Sequence, residues 1–81
     1  MNYYTIIARF DDEASAVHSL HEVAADPYEA RYQAKKRMVL DMLGYENEEH
    51  ARRKDDEFDM EFQCEAITIL YTFEGHLEDL N

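Results

Sequence analysis

The tetrad Asp26-Pro27-Tyr28-Glu29 constrains this 81-residue chain more than any other feature. An Asp side chain can accept from the first free amides of a helix. Pro is tolerated at the first helical position because the amide there has no partner anyway, and Glu three residues after the Asp completes a capping box. The tetrad predicts a helix with Ala30, Ala34, Met38 and Met42 on one side, adjoined by Tyr28, Val39 and Leu43, and stopping near Gly44. The segments left on either side are too short for a second domain. Residues 1–81 are therefore read as a single domain with one modest core.

Before the helix, Tyr3 to Phe10 reads as a strand, with Tyr4, Ile6, Ala8 and Phe10 on one face and Tyr3, Thr5, Ile7 and Arg9 on the other. Both faces are partly apolar, which suits an interior position. The polar run Asp11-Asp12-Glu13-Ala14-Ser15 makes a connection. Residues 16–25 fit two periods: a helix would align Val17, Leu20, His21 and Ala24, and a strand would align Val17, Ser19, His21 and Val23. A second strand, joined to the first by a loop of about five residues, is the expectation because that is a common hairpin length.

After the helix, residues 45–57 are polar. Acids in Glu46-Asn47-Glu48-Glu49 precede the bases Arg52-Arg53-Lys54 at helical spacing, so the segment is a loop or a short helix. Phe58 to Cys64 then alternates, with Phe58, Met60, Phe62 and Cys64 set against Asp59, Glu61, Gln63 and Glu65. Parity flips beyond it, where Ile67, Ile69, Tyr71 and Phe73 are the bulky residues. A β-bulge near Glu65 to Thr68 in one long strand, or a break into two strands in line, would account for the flip. The predicted fold is α+β: an antiparallel sheet of three or four strands with one main helix packed on one face, in β-β-α-β order.

Charge narrows the function. Nineteen acids against eight bases give a formal charge of -11. Residues 1–30 hold six acids and one base, residues 31–54 four acids and seven bases, and residues 55–81 nine acids and no base. Because 46% of the chain is apolar or aromatic, the charge does not signal disorder. It makes direct nucleic-acid binding unexpected, since phosphates repel such a surface. No apolar run approaches the length of a membrane span, and the Met1 end has no secretory leader pattern, so a cytoplasmic protein is expected. The single cysteine, Cys64, cannot form an internal disulfide and fits a reducing compartment.

Catalytic chemistry finds little support. Gly44 and Gly75 are the only glycines, too few for a phosphate-cradling loop or a dinucleotide fingerprint. Ser15, Ser19 and Cys64 have only scattered histidines as candidate bases, and Cys64 is in phase with apolar neighbours, which marks it as core. On a strand, His18 and His21 point to opposite faces and cannot chelate one metal. No enzyme activity, cofactor or metal is expected.

The acidic segment stands out. Read as a strand, it sets Asp59, Glu61 and Glu65 on one face with Gln63, successive members about 6.6 Å apart. Such a row approaches the charge density of a nucleic-acid backbone, which carries one charge per roughly 3.4 Å on each strand. Joined by Asp55, Asp56, Glu57, Glu74, Glu78 and Asp79, with Asp11, Asp12 and Glu13 as a secondary group, it could occupy a Lys/Arg channel that normally holds nucleic acid. A solvated outer face is the plain alternative.

Three stretches carry a resemblance: Tyr3-Tyr4-Thr5-Ile6-Ile7, His21-Glu22-Val23-Ala24-Ala25-Asp26-Pro27-Tyr28-Glu29-Ala30, and Phe73-Glu74-Gly75-His76-Leu77-Glu78-Asp79-Leu80. They resemble small proteins of phages and mobile elements with a strand-strand-helix-strand plan. In size, acidity and type the chain is similar to anti-CRISPR proteins, several of which block the nucleic-acid or PAM-reading surface of a Cas complex. The resemblance implies an inhibitor, monomeric or dimeric, that binds a Cas effector complex or another basic nucleic-acid-binding protein through its acidic face. The basic stretch Arg31 to Arg37 departs from a uniformly acidic decoy. It could pair with the protein's own acids or contact an acidic part of the target. An antitoxin-like or regulatory module with one basic protein partner is the alternative.

Overall fold

A computed structural model describes residues 1–13 and 16–75. The chain runs through β1 (Asn2–Phe10), β2 (His18–Ala24), α1 (Pro27–Leu43), α2 (Glu48–Lys54), α3 (Met60–Cys64) and β3 (Ile67–Glu74). The strands form an antiparallel sheet in the order β2-β1-β3, so β1 is central and the two later strands are its edges. The expected α+β class and β-β-α-β order hold, with three strands and two short helices added between α1 and β3.

β1 is central because it can use both faces. Tyr4, Ile6, Ala8 and Phe10 are buried toward α1, and Ile6 and Ala8 are fully covered. Segment 16–25 resolves as a strand whose helix-facing side carries His18, Leu20, Glu22 and Ala24, opposite Ala8, Ile6, Tyr4 and Asn2. The pairing also puts His21 opposite Thr5, on the other face from His18.

α1 begins and ends where the local signals place it. Asp26 Oδ1 accepts from the Glu29 amide at 2.8 Å, and Glu29 Oε2 accepts from the Ala25 amide at 3.3 Å. Gly44 closes the helix at φ 78°, and its amide bonds back to the last turn. Ala30, Ala34, Met38 and Val39 are buried, the two alanines letting the helix approach the sheet closely. Tyr28, Met42 and Leu43, expected beside them, are exposed. Full burial of Ile6 or Val39 contributes roughly 1.5–3 kcal/mol each relative to an exposed side chain.

The segment before β3 differs from expectation. Phe58 to Cys64 is not a strand: Asp59 caps a helical turn, its Oδ1 accepting from the Glu61 and Phe62 amides at 3.1 and 3.3 Å. Met60 and Cys64, four residues apart, are buried together, whereas Phe62 is 66% exposed. The apparent alternation thus contained an i, i+4 pair, which is a helical period, and the cap decided between the two.

The bulge lies further on than expected. Ile7 pairs with Tyr71 and Ala8 with Ile69, so Leu70 is the extra residue of β3. Ile67 and Ile69 consequently share the helix-facing side with Phe10 and Ala8, while Tyr71 and Phe73 fall opposite Ile7 and Thr5 on the outer face. One extra residue reverses every side chain beyond it.

Candidate functional site

Two short helices and one aromatic cluster build the acidic corner of the molecule. Asn47 Oδ1 caps α2 at the His50 amide, 2.8 Å away, and His50 Nδ1 accepts from the Glu46 amide at 3.1 Å. Glu48 and Glu49 lie in the first turn and Arg52, Arg53 and Lys54 in the last, each sign at the dipole end that favours it. Tyr45 meets the rings of His50 and Phe58 edge-on, with centroids 5.4 and 6.3 Å away, which fixes the α2–α3 connection against the body.

Within that connection, Asp55 ends α2 and its Oδ1 accepts from the Glu57 amide at 3.0 Å. Phe58 then donates to the Asp55 carbonyl at 3.1 Å, and Asp59 caps α3. The tight turn leaves a groove of about 340 Å³ lined by Glu48, Asp56, Glu57, Asp59 and Glu61, with Arg52 as the one base on its wall and Tyr32 and Phe58 as apolar flanks. Arg52 binds Glu48 at 2.7 Å, an exposed i, i+4 pair. The carboxylates of Asp56, Glu57 and Glu61 have no hydrogen bond or ion pair among the described residues.

The local field is negative. Burial, followed by the charges of Cys64, Glu61, Glu48 and Asp59, pushes the pKa of the Tyr32 hydroxyl up. Burial also raises the Cys64 thiol, against the opposing pull of Lys35 and Lys36. Such a corner attracts cations and repels phosphates.

The expected acids therefore gather differently from a single row. Asp59, Glu61 and Glu65 do not share a strand face, because the segment is helical: Asp59 is the N-cap of α3, Glu61 lies in its first turn and Glu65 caps its C-terminus. Asp55, Asp56, Glu57, Asp59 and Glu61 do come together, through a turn. Asp11 stands apart from them, its amide donating to the Ala66 carbonyl at 2.8 Å and its carboxylate accepting from the Thr68 hydroxyl. That places Asp11, Asp12 and Glu13 beside the chain that leaves Glu65. Glu74 lies at the opposite end of β3, paired with Tyr4. Glu78 and Asp79 lie outside the described residues.

Two groups escaped the sequence reading. Glu48 joins the groove only because α2 folds back toward α3, which nothing local announces. Glu22 is buried on the helix-facing side of β2 and bonded to Arg37 at 2.9 Å. A carboxylate in phase with Leu20 and Ala24 was the available signal. Arg37 is thus spent on the protein's own acid. Arg31 lies 5.5 Å from the Tyr28 ring centre and Lys36 4.9 Å from that of Tyr32, so part of the basic stretch is stacked on aromatic rings.

Among the described residues no three of His, Cys, Asp or Glu are placed to hold a metal ion, and no helix is long and apolar enough to cross a membrane. No family model, curated protein or solved structure matches the chain.

Proposed function

We propose that the chain is a stoichiometric inhibitor that binds a basic nucleic-acid-binding protein through the α2–α3 corner. The observation that carries this reading is the groove itself, where, among the described residues, five carboxylates face one guanidinium and three of the acids have no hydrogen-bond or ion-pair partner. Free carboxylates held by capped turns are pre-organised for Lys and Arg donors, and charge-assisted bonds of that kind are about twice as strong as neutral ones. The resemblance to small phage-borne domains narrows the partner class to a Cas effector complex, whose guide and target channel is lined with basic residues. Occupying that channel or the PAM-reading surface would block target-DNA engagement without chemistry.

The test is binding to purified Cas complexes across rising salt, with a charge-reversed variant carrying Asp56→Lys, Glu57→Lys and Glu61→Lys. Association should slow by tenfold or more in the variant and lose most of its salt dependence. Unchanged affinity would overturn the acidic-corner mechanism. A plasmid-transformation assay across several CRISPR types reads the biological consequence, and a partner captured equally from hosts with and without CRISPR would instead favour the antitoxin-like module.

A further inference from the structure

A second surface lies away from the acidic corner, along the free edge of β2. Among the described residues, the sheet order leaves β2 with a strand on one side only. Among the described residues two buried side-chain atoms lack a hydrogen-bond partner, His18 Nε2 and Glu22 Oε2, and both belong to the helix-facing side of this one strand. A groove of about 590 Å³ runs past His18, Leu20, Arg37, Met38 and Asp41. Another of about 300 Å³ runs past Glu22, Arg37, Leu40, Asp41, Tyr45 and Glu46. Arg37 and Asp41 line both, so the two are consecutive stretches of one cleft between β2 and the C-terminal half of α1. Neither shares a lining residue with the α2–α3 groove.

We infer that this cleft receives an extended segment of a partner protein and anchors it by an arginine side chain on Glu22. Glu22 holds a position where an apolar residue would pack, and a buried carboxylate with one oxygen unbonded is costly to keep there. Arg37 satisfies only Oε1, reaching in from a side chain that is 57% exposed. The remaining oxygen needs a donor. A guanidinium suits it better than an ammonium, because its planar fork presents several donors at once, and Asp41 and Glu46 line the same groove as further acceptors. Glu13, Glu22, Asp41 and Glu46 outnumber Lys36 and Arg37 along the cleft, which selects a cation. The edge of β2 offers backbone groups for strand addition, which supplies affinity while side-chain pockets supply specificity. His18 and Glu22 are four residues apart, about 13 Å along a strand, so roughly five residues of extended peptide reach both.

The experiment uses the full, isotopically labelled chain. It is titrated at low salt with an acetylated, amidated heptapeptide of sequence TVTRTVT, with the same peptide carrying Gln for its Arg, and with free L-arginine. The Arg peptide should give saturable amide shifts across residues 18–24 and 41–46, at least tenfold tighter than the Gln peptide. Glu22→Leu should lose this binding by a similar factor while unfolding at higher urea than the parent, a combination that a purely structural Glu22 would not give. Should Glu22→Leu fail to fold, Glu22→Gln in the same titration gives the same readout. The variant reversed at Asp56, Glu57 and Glu61 should still bind the peptide, which separates this cleft from the proposed inhibitory surface. Absence of saturable shifts, equal binding of the Gln peptide, or binding unaffected by Glu22 substitution would overturn the inference. L-arginine binding as tightly as the peptide would assign the socket to a small molecule and overturn it too.

Discussion

Arg37 donates from one guanidinium nitrogen to Glu22 Oε1 at 2.9 Å, while the second carboxylate oxygen of Glu22 is buried without a hydrogen-bond partner among the described residues. Burial raises the Glu22 pKa, and the charges of Arg37 and His21 only partly oppose it. The folded state therefore holds this proton more tightly than the unfolded chain. The stabilisation is complete below the unfolded carboxyl pKa and is lost as pH rises through the folded one. Glu22→Gln removes the titration. Its urea midpoint relative to the parent should increase between pH 4 and pH 7, and a difference that stays flat with pH would contradict the buried-carboxylate account.

The ends of α1 are the most local determinants of the fold, so their loss should be local in cause and measurable in size. Asp26→Ala removes the bond to the Glu29 amide and should cost about 1 kcal/mol. Gly44→Ala meets no neighbouring atom, but it forces a Cβ into φ 78° and should cost roughly 1–2 kcal/mol. Asp26→Asn keeps an acceptor and should lie near the parent. Denaturant midpoints at constant slope test all three.

Met60 and Phe62 separate the helical segment from the alternating strand it resembles. Met60→Ala opens a cavity beside Cys64 and should cost about 2–5 kcal/mol. Phe62→Ser, at a largely exposed position, should stay within about 0.5 kcal/mol of the parent. Equal, large losses at both positions would mean that both side chains of the pattern are buried.

Cys64 is buried and its thiol pKa is raised, so little thiolate is present at neutral pH. Reaction with a disulfide reagent near pH 8 should be slow in the native protein and fast in urea. Rapid native labelling would show that α3 opens readily.

Net charge acts on the isolated chain as well as on any partner. With -11 over 81 residues and only two ion pairs among the described residues, self-repulsion works against the compact state. Raising sodium chloride from 20 to 200 mM should increase the unfolding temperature by screening it. A decrease would show that attractive pairs outweigh the repulsion.

The sequence by itself determined the features that depend on near neighbours. The Asp26 to Glu29 cap and Gly44 delimit α1, and period two marks β1 and its buried face, whereas acids before bases at helical spacing left α2 open as a loop or a short helix. Each of these signals is satisfied within a few residues of itself. The acidic content of residues 55–61 was equally legible, because charge needs no geometry to be counted.

Only the tertiary structure decided where those charges lie and which positions are inside. Phe58 to Cys64 satisfies both a strand and a helical period, and the choice fell to the Asp59 cap and the packing of Met60 and Cys64 against α1. Leu70 became a bulge because β3 has to follow the register of β1, which no property of β3 alone specifies. The partnership of Glu22 with Arg37, and the cleft beside it, required a strand and a helix to be brought together across fifteen residues of chain. Long-range packing assigns such neighbours, and a linear pattern contains only the candidates.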